Sequence, residues 1–186
     1  MEQTVQRSKT FMMALCGLFA AVTAICSWIS IPLGFTPVPV NLGTLAVFLT
    51  GGLLGKKYGP ISLIVYTLAG AVGLPVFSGF RGGLSVLAGP TGGYIIGYIV
   101  AALIIGLIIS GMTKRERTTG AAISIYAFAM ICGLAACYAL GTAWFMISTH
   151  TPFAAAMVSC VIPFLPGDAL KIIAATILVR KLKKYI

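Results

Sequence analysis

The stretch "PFLPGDALKI", Pro163 to Ile172, sets a carboxylate, Asp168, and an ammonium, Lys171, three residues apart inside otherwise apolar sequence. Only three of the 186 residues are acidic, so an acid in this place needs a physical reason. Counting back from Arg180, a base suited to an inner membrane interface, Asp168 stands about 18 Å up a helix that rises about 1.5 Å per residue. A bilayer's hydrocarbon core is about 30 Å thick, which sets the pair in its outer half. An ionised side chain there costs about 2.5 to 3.5 kcal/mol even on a lenient scale, and it must face a partner or a cavity.

The surrounding composition supports a bilayer. Of the whole chain 59% is hydrophobic and 9% charged, with a mean hydropathy of +1.05, well outside the range of soluble domains. The length fits about six spans of about 20 residues, leaving no room for a soluble domain, so residues 1–186 are expected to form a single integral membrane domain. A net charge of +10 raises the question of nucleic acid. Such a reader gathers its bases on one wet surface, whereas here they punctuate apolar runs, so nucleic acid is not expected as a partner. The cysteines Cys16, Cys26, Cys132, Cys137 and Cys160 show no CxxC spacing and no adjacent histidine. They read as packing residues, with no metal site expected.

Basic clusters at Arg7 and Lys9, Lys56 and Lys57, Lys114, Arg115 and Arg117, and Arg180, Lys181, Lys183 and Lys184 alternate with nearly uncharged connections. Basic residues mark the cytoplasmic side, so both termini are expected there and the span count is even. The reading is an all-α polytopic membrane protein with six transmembrane helices, at 10–31, 38–56, 59–75, 92–111, 120–148 and 153–180. The first apolar run, 11–31, is longer than a signal-peptide core and lacks a convincing cleavage site, so it counts as a span.

The external connections then read "PLGFTPVPVN", "PVFSGFRGGLSVLAGPTGG" and "STHTP". The second is rich in Gly and Pro yet keeps Phe77, Phe80, Leu84, Val86 and Leu87, for which a solvated loop has little use. Irregular backbone at membrane depth is tolerated where protein or a cavity covers it, so this loop is expected to fold over the bundle as a lid or plug. Its glycines form no phosphate-binding loop, because no Gly-Lys-Ser/Thr follows, and no ATP site is expected in this chain.

Asp168 and Lys171, at i and i+3, share a helix face and can neutralise each other in one space. Pro166 and Gly167 point to a kink or a fresh helix start just before them. A structural alternative makes Asp168 an N-cap and Lys171 a snorkelling first-turn residue. Arg81 is the one other base assigned away from the cytoplasmic side. Together the three charges suit a small molecule with a carboxylate at one end and N–H donors elsewhere, with Trp28, Phe77, Phe80 and Tyr94 as candidate apolar walls. His150 is placed in an external loop.

At "SIPLGFTPVPVNLGTLAVFLTGGLLGKKYG", "GLPVFSGFRGGLSVLAGPTGGYIIGY" and "PFLPGDALKI" the chain resembles the BioY proteins, the biotin-binding S-components of energy-coupling factor (ECF) transporters. The resemblance covers nearly the whole chain. It implies six membrane helices, a high-affinity biotin site open to the outside, and partnership with a transmembrane T-component and two cytoplasmic ATPases in a prokaryotic plasma membrane. Asp168 of "PGD" is implied to accept hydrogen bonds from the ureido group, with Lys171, Arg81, Gly82 and Gly83 lining the same pocket and Tyr94 of "GGY" in the matching stretch. Gly43 departs from the family pattern, where glutamine is usual, and Asn41 is a substitute for its polar contact. The resemblance further implies a small-residue face on the first helix, Cys16, Gly17, Ala20, Ala21 and Ala24, docking the T-component; such stripes also serve ordinary internal packing.

The function so implied is biotin capture and uptake, without catalysis, with biotin as a substrate and no cofactor. An S-component for another vitamin would keep the architecture and change the pocket. An intramembrane enzyme using Asp168 and Lys171 as acid and base, and a scaffold in which Asp168 matters only for stability, are the rivals from other classes.

Overall fold

The computed structural model describes residues 8–112 and 119–185. Seven α-helices and one short strand pair follow in order: α1 (Lys9–Trp28), β1 (Ser30–Ile31), β2 (Val40–Asn41), α2 (Gly43–Ala71), α3 (Leu84–Ala88), α4 (Gly92–Met112), α5 (Thr119–Thr149), α6 (Phe153–Cys160) and α7 (Leu165–Leu182). The fold is mostly helical, as expected. Among the described residues four helical segments are long and apolar enough to cross a membrane: Lys9–Trp28, Gly92–Met112, Gly120–Thr149 and Phe153–Leu182.

The expected second and third spans form the two arms of α2, broken at Gly55, whose φ of 72° and ψ of −170° lie outside helical geometry. Left-handed φ is cheap only for glycine. Along one straight helix Gly51 and Gly59 would be about 12 Å apart. A Cβ built on Gly59 lies 3.3 Å from Gly51 Cα, so the chain folds back at Gly55 into a hairpin. The first arm starts later than expected because the Pro37–Pro39 region feeds an antiparallel β pair, Ser30 with Asn41 and Ile31 with Val40. The same pair ends α1 earlier than the apolar run suggests. α4 holds the hairpin tip: a Cβ on Gly106 would stand 2.4 Å from Lys56 N and 2.5 Å from Gly55 C. Backbone cannot yield as a side chain can, so Gly106→Ala is expected to destabilise the protein by about 1 to 3 kcal/mol, read as a lowered unfolding midpoint in detergent.

The expected last span is likewise interrupted. Pro163 and Pro166 lack the N–H that a continuous ladder needs, and α6 gives way to a 3-10 turn, Ile162–Phe164, before α7 starts at Leu165.

Contacts sort the chain into two ends. Cys16 Sγ lies 3.4 Å from Tyr58 O, a Cβ on Gly52 would meet Val179, and Lys183 Nζ approaches Tyr126 OH at 3.5 Å. Lys56, Lys57, Arg180, Lys181 and Lys183 therefore gather at one end of the bundle. Arg7, Lys114, Arg115 and Arg117 lie outside the described residues.

At the opposite end, residues 73–91 fold onto the helices. Phe77 is 2% exposed and packs edge-on to Tyr66, ring centroids 5.5 Å apart. A side chain at Gly70 would overlap its ring. Phe77 N donates to Arg81 O at 2.9 Å, and Gly83 N donates to Gly70 O at 2.7 Å. Val86 and Leu87 pack against the core while Phe80 and Leu84 stay exposed.

A buried ion pair and its cavity

α7 opens with Pro166 in its first turn, which puts Asp168 in that turn and Lys171 about one turn further on. Both face the bundle, 2% and 8% exposed, with Lys171 Nζ 2.8 Å from Asp168 Oδ1. Phe164, not Asp168, holds the N-cap position, so the capping alternative is set aside. The carboxylate takes side-chain donors instead: Thr44 Oγ1 donates to Oδ1 at 2.9 Å and Tyr138 OH to Oδ2 at 2.5 Å. Lys171 Nζ donates further to the Asn41 carbonyl at 2.6 Å and to Thr44 Oγ1 at 3.0 Å. Three ammonium protons thus meet three acceptors. Four segments converge here, β2, the first arm of α2, α5 and α7. Burial of both charges is tolerable because each is paired and hydrogen-bonded.

The pair borders a cavity of about 690 Å³ of empty space, a figure that includes the solvent in its open mouth. Phe77, Ile95, Phe164 and Val38 supply apolar wall and Tyr66, Tyr94, Tyr98 and Tyr138 an aromatic one edged with hydroxyls. Ser27 Oγ and Tyr66 OH are 3.0 Å apart, and Tyr98 OH donates to Asn41 Oδ1 at 3.4 Å. Asn41 Nδ2 donates to Ser78 Oγ at 2.7 Å, tying the long loop to β2. Arg81 lines the cavity from its exposed side, its Nε donating to Ser78 O at 3.2 Å.

Of the residues singled out in the sequence, Asp168, Lys171, Arg81, Asn41 and Tyr94 line this one space. Gly82 and Gly83 do not. A Cβ on Gly82 would stand 2.3 Å from Leu74 O, and Gly83 has a φ of 96°, so these glycines let the loop close against the end of α2 and thereby place Arg81. Among the candidate walls, Phe77 and Tyr94 line the cavity, whereas Trp28 and Phe80 stack on each other at 5.0 Å outside it. Trp28 Nε1 donates to Pro75 O at 2.8 Å, which fastens the loop to α1. His150 is exposed just beyond α5. At Gly43 a Cβ would stand 2.8 Å from Tyr98 OH and 2.9 Å from Asn41 Oδ1, so Asn41 borders the volume where a side chain at 43 would begin.

The small-residue face of α1 divides. Cys16, Ala20 and Ala24 are buried inside the bundle, which corrects their assignment to an outward docking face: the i, i+4 row they form packs inward. Gly17 and Ala21 stay exposed, about 100° further round the helix.

Sequence reasoning missed Thr44, Tyr138, Tyr98, Ser27 and Ser78. Thr44 follows Asn41 by three residues, across the step from β2 into the first turn of α2. Tyr138 sits in an unbroken apolar run on α5 and carries no local mark.

A carboxylate and ammonium at one end, a guanidinium toward the mouth, and aromatic and apolar wall between them suit a ligand of matching pattern. Such a ligand has hydrogen-bonding groups at one end, an apolar middle and an anionic tail.

The BioY family model matches residues 1–186. Over 168 residues the chain is 42% identical to the "Biotin transporter BioY" of Thermotoga maritima, covering 90% of this chain and 93% of that one. It is 36% identical to the "Probable biotin transporter BioY" of Pyrococcus horikoshii, covering 91% and 94%. A solved structure, the S-component for biotin from an ECF-type ABC transporter, superposes with a TM-score of 0.86 at 29% identity, covering 95% of this chain and 92% of that one.

Proposed function

The chain belongs to the BioY family, and from that premise we propose that it is the biotin-binding, substrate-specific S-component of an ECF-type vitamin uptake system. The observation that carries this reading is the buried Asp168–Lys171 pair facing the cavity, with Arg81 toward its mouth. Asp168 accepts the ureido N–H groups, and Lys171, already donating to the Asn41 carbonyl, holds the carboxylate in place. Arg81 meets the valerate carboxylate, and Tyr94, Tyr98 and Phe77 pack the apolar middle. Biotin passes unchanged, as a substrate and not a cofactor.

Six membrane spans follow if each arm of α2 counts as one. The basic end then faces the cytoplasm by the positive-inside rule, which puts both termini there and the cavity toward the outside of a prokaryotic plasma membrane. No nucleotide-binding motif occurs in the sequence, so the energy is supplied by partners: a T-component in the membrane and two cytoplasmic ATPases. Gly17 and Ala21 are the members of the α1 row left open to a T-component.

Calorimetric titration of the purified protein with biotin, with desthiobiotin, thiamine and riboflavin as competitors, tests the ligand. Another vitamin binding more tightly would replace biotin and keep the architecture. Asp168→Asn is expected to weaken biotin binding by about 1 to 3 kcal/mol, because a charge-assisted acceptor becomes a neutral amide in a buried site. An unchanged dissociation constant would remove Asp168 from ligand recognition.

A further inference from the structure

A second, shallower cavity adjoins the first. It holds about 590 Å³ of empty space open to solvent, and Pro39, Ser78 and Arg81 line both cavities. The rest of its wall comes from Ser30, Pro32, Thr36, Pro37 and Gly79, that is, from β1, the β1–β2 connection and the tip of the long loop. Its walls offer the Ser30 and Ser78 hydroxyls and the Arg81 guanidinium between prolines, which suits an amide and a carboxylate better than a bare hydrocarbon chain. Arg81 is exposed, and its Nε donates to Ser78 O; the two Nη groups face no acidic partner among the described residues, since Asp168 alone is acidic there. A guanidinium in the shared wall can serve an anion on either side of it.

We infer that the outer cavity is a subsite for the tail of a biotin conjugate, so that the protein takes biotin amide-linked to the lysine side chain as well as free biotin. The inference rests on the biotin reading above. With the ring system at Asp168 and the valerate chain directed to Arg81, an amide at the chain's end would emerge beside Ser78 and Pro39. The lysine tail would then lie along Ser30 and Pro32, its carboxylate within reach of the same Arg81. Such conjugates are the fragments that proteolysis of biotin-carrying proteins must release, and an amidase on the far side would free the vitamin.

The test is titration of the full-length protein in detergent with biotin and with biotinyl-ε-lysine. Both are expected to bind, the conjugate within about tenfold of free biotin. Ser30→Trp and Pro32→Trp, two positions that line only the outer cavity, are each expected to weaken the conjugate at least tenfold while changing biotin less than twofold. Biotin binding with the conjugate excluded overturns the subsite, as does an equal loss of both ligands in both variants. Failure of biotin itself to bind the unaltered protein overturns the underlying reading, and the subsite with it.

Discussion

Lys171→Met lowers the stability of the folded protein by about 3 to 5 kcal/mol, the usual consequence of leaving a buried partner charge uncompensated. Among the described residues the ammonium is the only cation within hydrogen-bond distance of Asp168, and it also donates to the Asn41 carbonyl and Thr44 Oγ1. Its removal therefore takes a donor from acceptors on three segments at once, while Thr44 and Tyr138 go on donating to a carboxylate that has lost its counterion. Methionine is close in volume, so packing changes little and the effect reports on charge. The unfolding midpoint in detergent measures it. The double variant Lys171→Met with Asp168→Asn recovers a large share of the loss, because the carboxylate no longer needs a counterion. A double variant no more stable than Lys171→Met alone would show that the ammonium acts through its bonds to Asn41 and Thr44 and not through Asp168.

Phe77→Ala costs a similar amount, about 3 to 5 kcal/mol, the usual range for deleting a buried phenyl ring. The ring closes the gap between the long loop and the bundle, edge-on to Tyr66 and directly over Gly70. Its backbone also bridges to Arg81, so the cavity loses the anchor of its guanidinium as well as part of its wall. Two readouts follow: a lower unfolding midpoint, and faster biotin dissociation from whatever fraction stays folded. Phe77→Leu, which refills much of the volume, should restore most of both. Unchanged stability in Phe77→Ala would mean that the Trp28, Asn41 and Gly70 hydrogen bonds hold the loop without the ring.

The long elements could be read directly because continuous apolar runs bounded by glycine or by turn residues leave little choice. α4 and α5 fall within a residue or so of their expected bounds. The first arm of α2 was misjudged at its start because Val38 and Val40 look like span residues, whereas the prolines around them favour extended backbone and the strand pair captures it. The reversal between the second and third spans was legible at the Lys56–Lys57 cluster, whereas its pivot, Gly55, carried no mark that set it apart from the other glycines of the run. At the site, charge made Asp168, Lys171 and Arg81 conspicuous because charge is scarce in this sequence. Neutral hydroxyls have no such contrast, and Tyr138 joins the site through the packing of α5 on α7, a relation between segments 30 residues apart. Gly82 and Gly83 were legible as special; in the structure they stand outside the cavity wall and the freedom they supply serves loop closure.

The Asp168–Lys171 pair bears also on transmembrane voltage. A lone charge carried across the field exchanges about 2.3 kcal/mol for every 100 mV, but these two opposite charges, 2.8 Å apart, cancel as a unit. Any displacement of the empty site along the bilayer normal therefore draws almost no electrical work from this pair, and whatever voltage dependence such a motion has comes from the other charges of the chain, Arg81 among them.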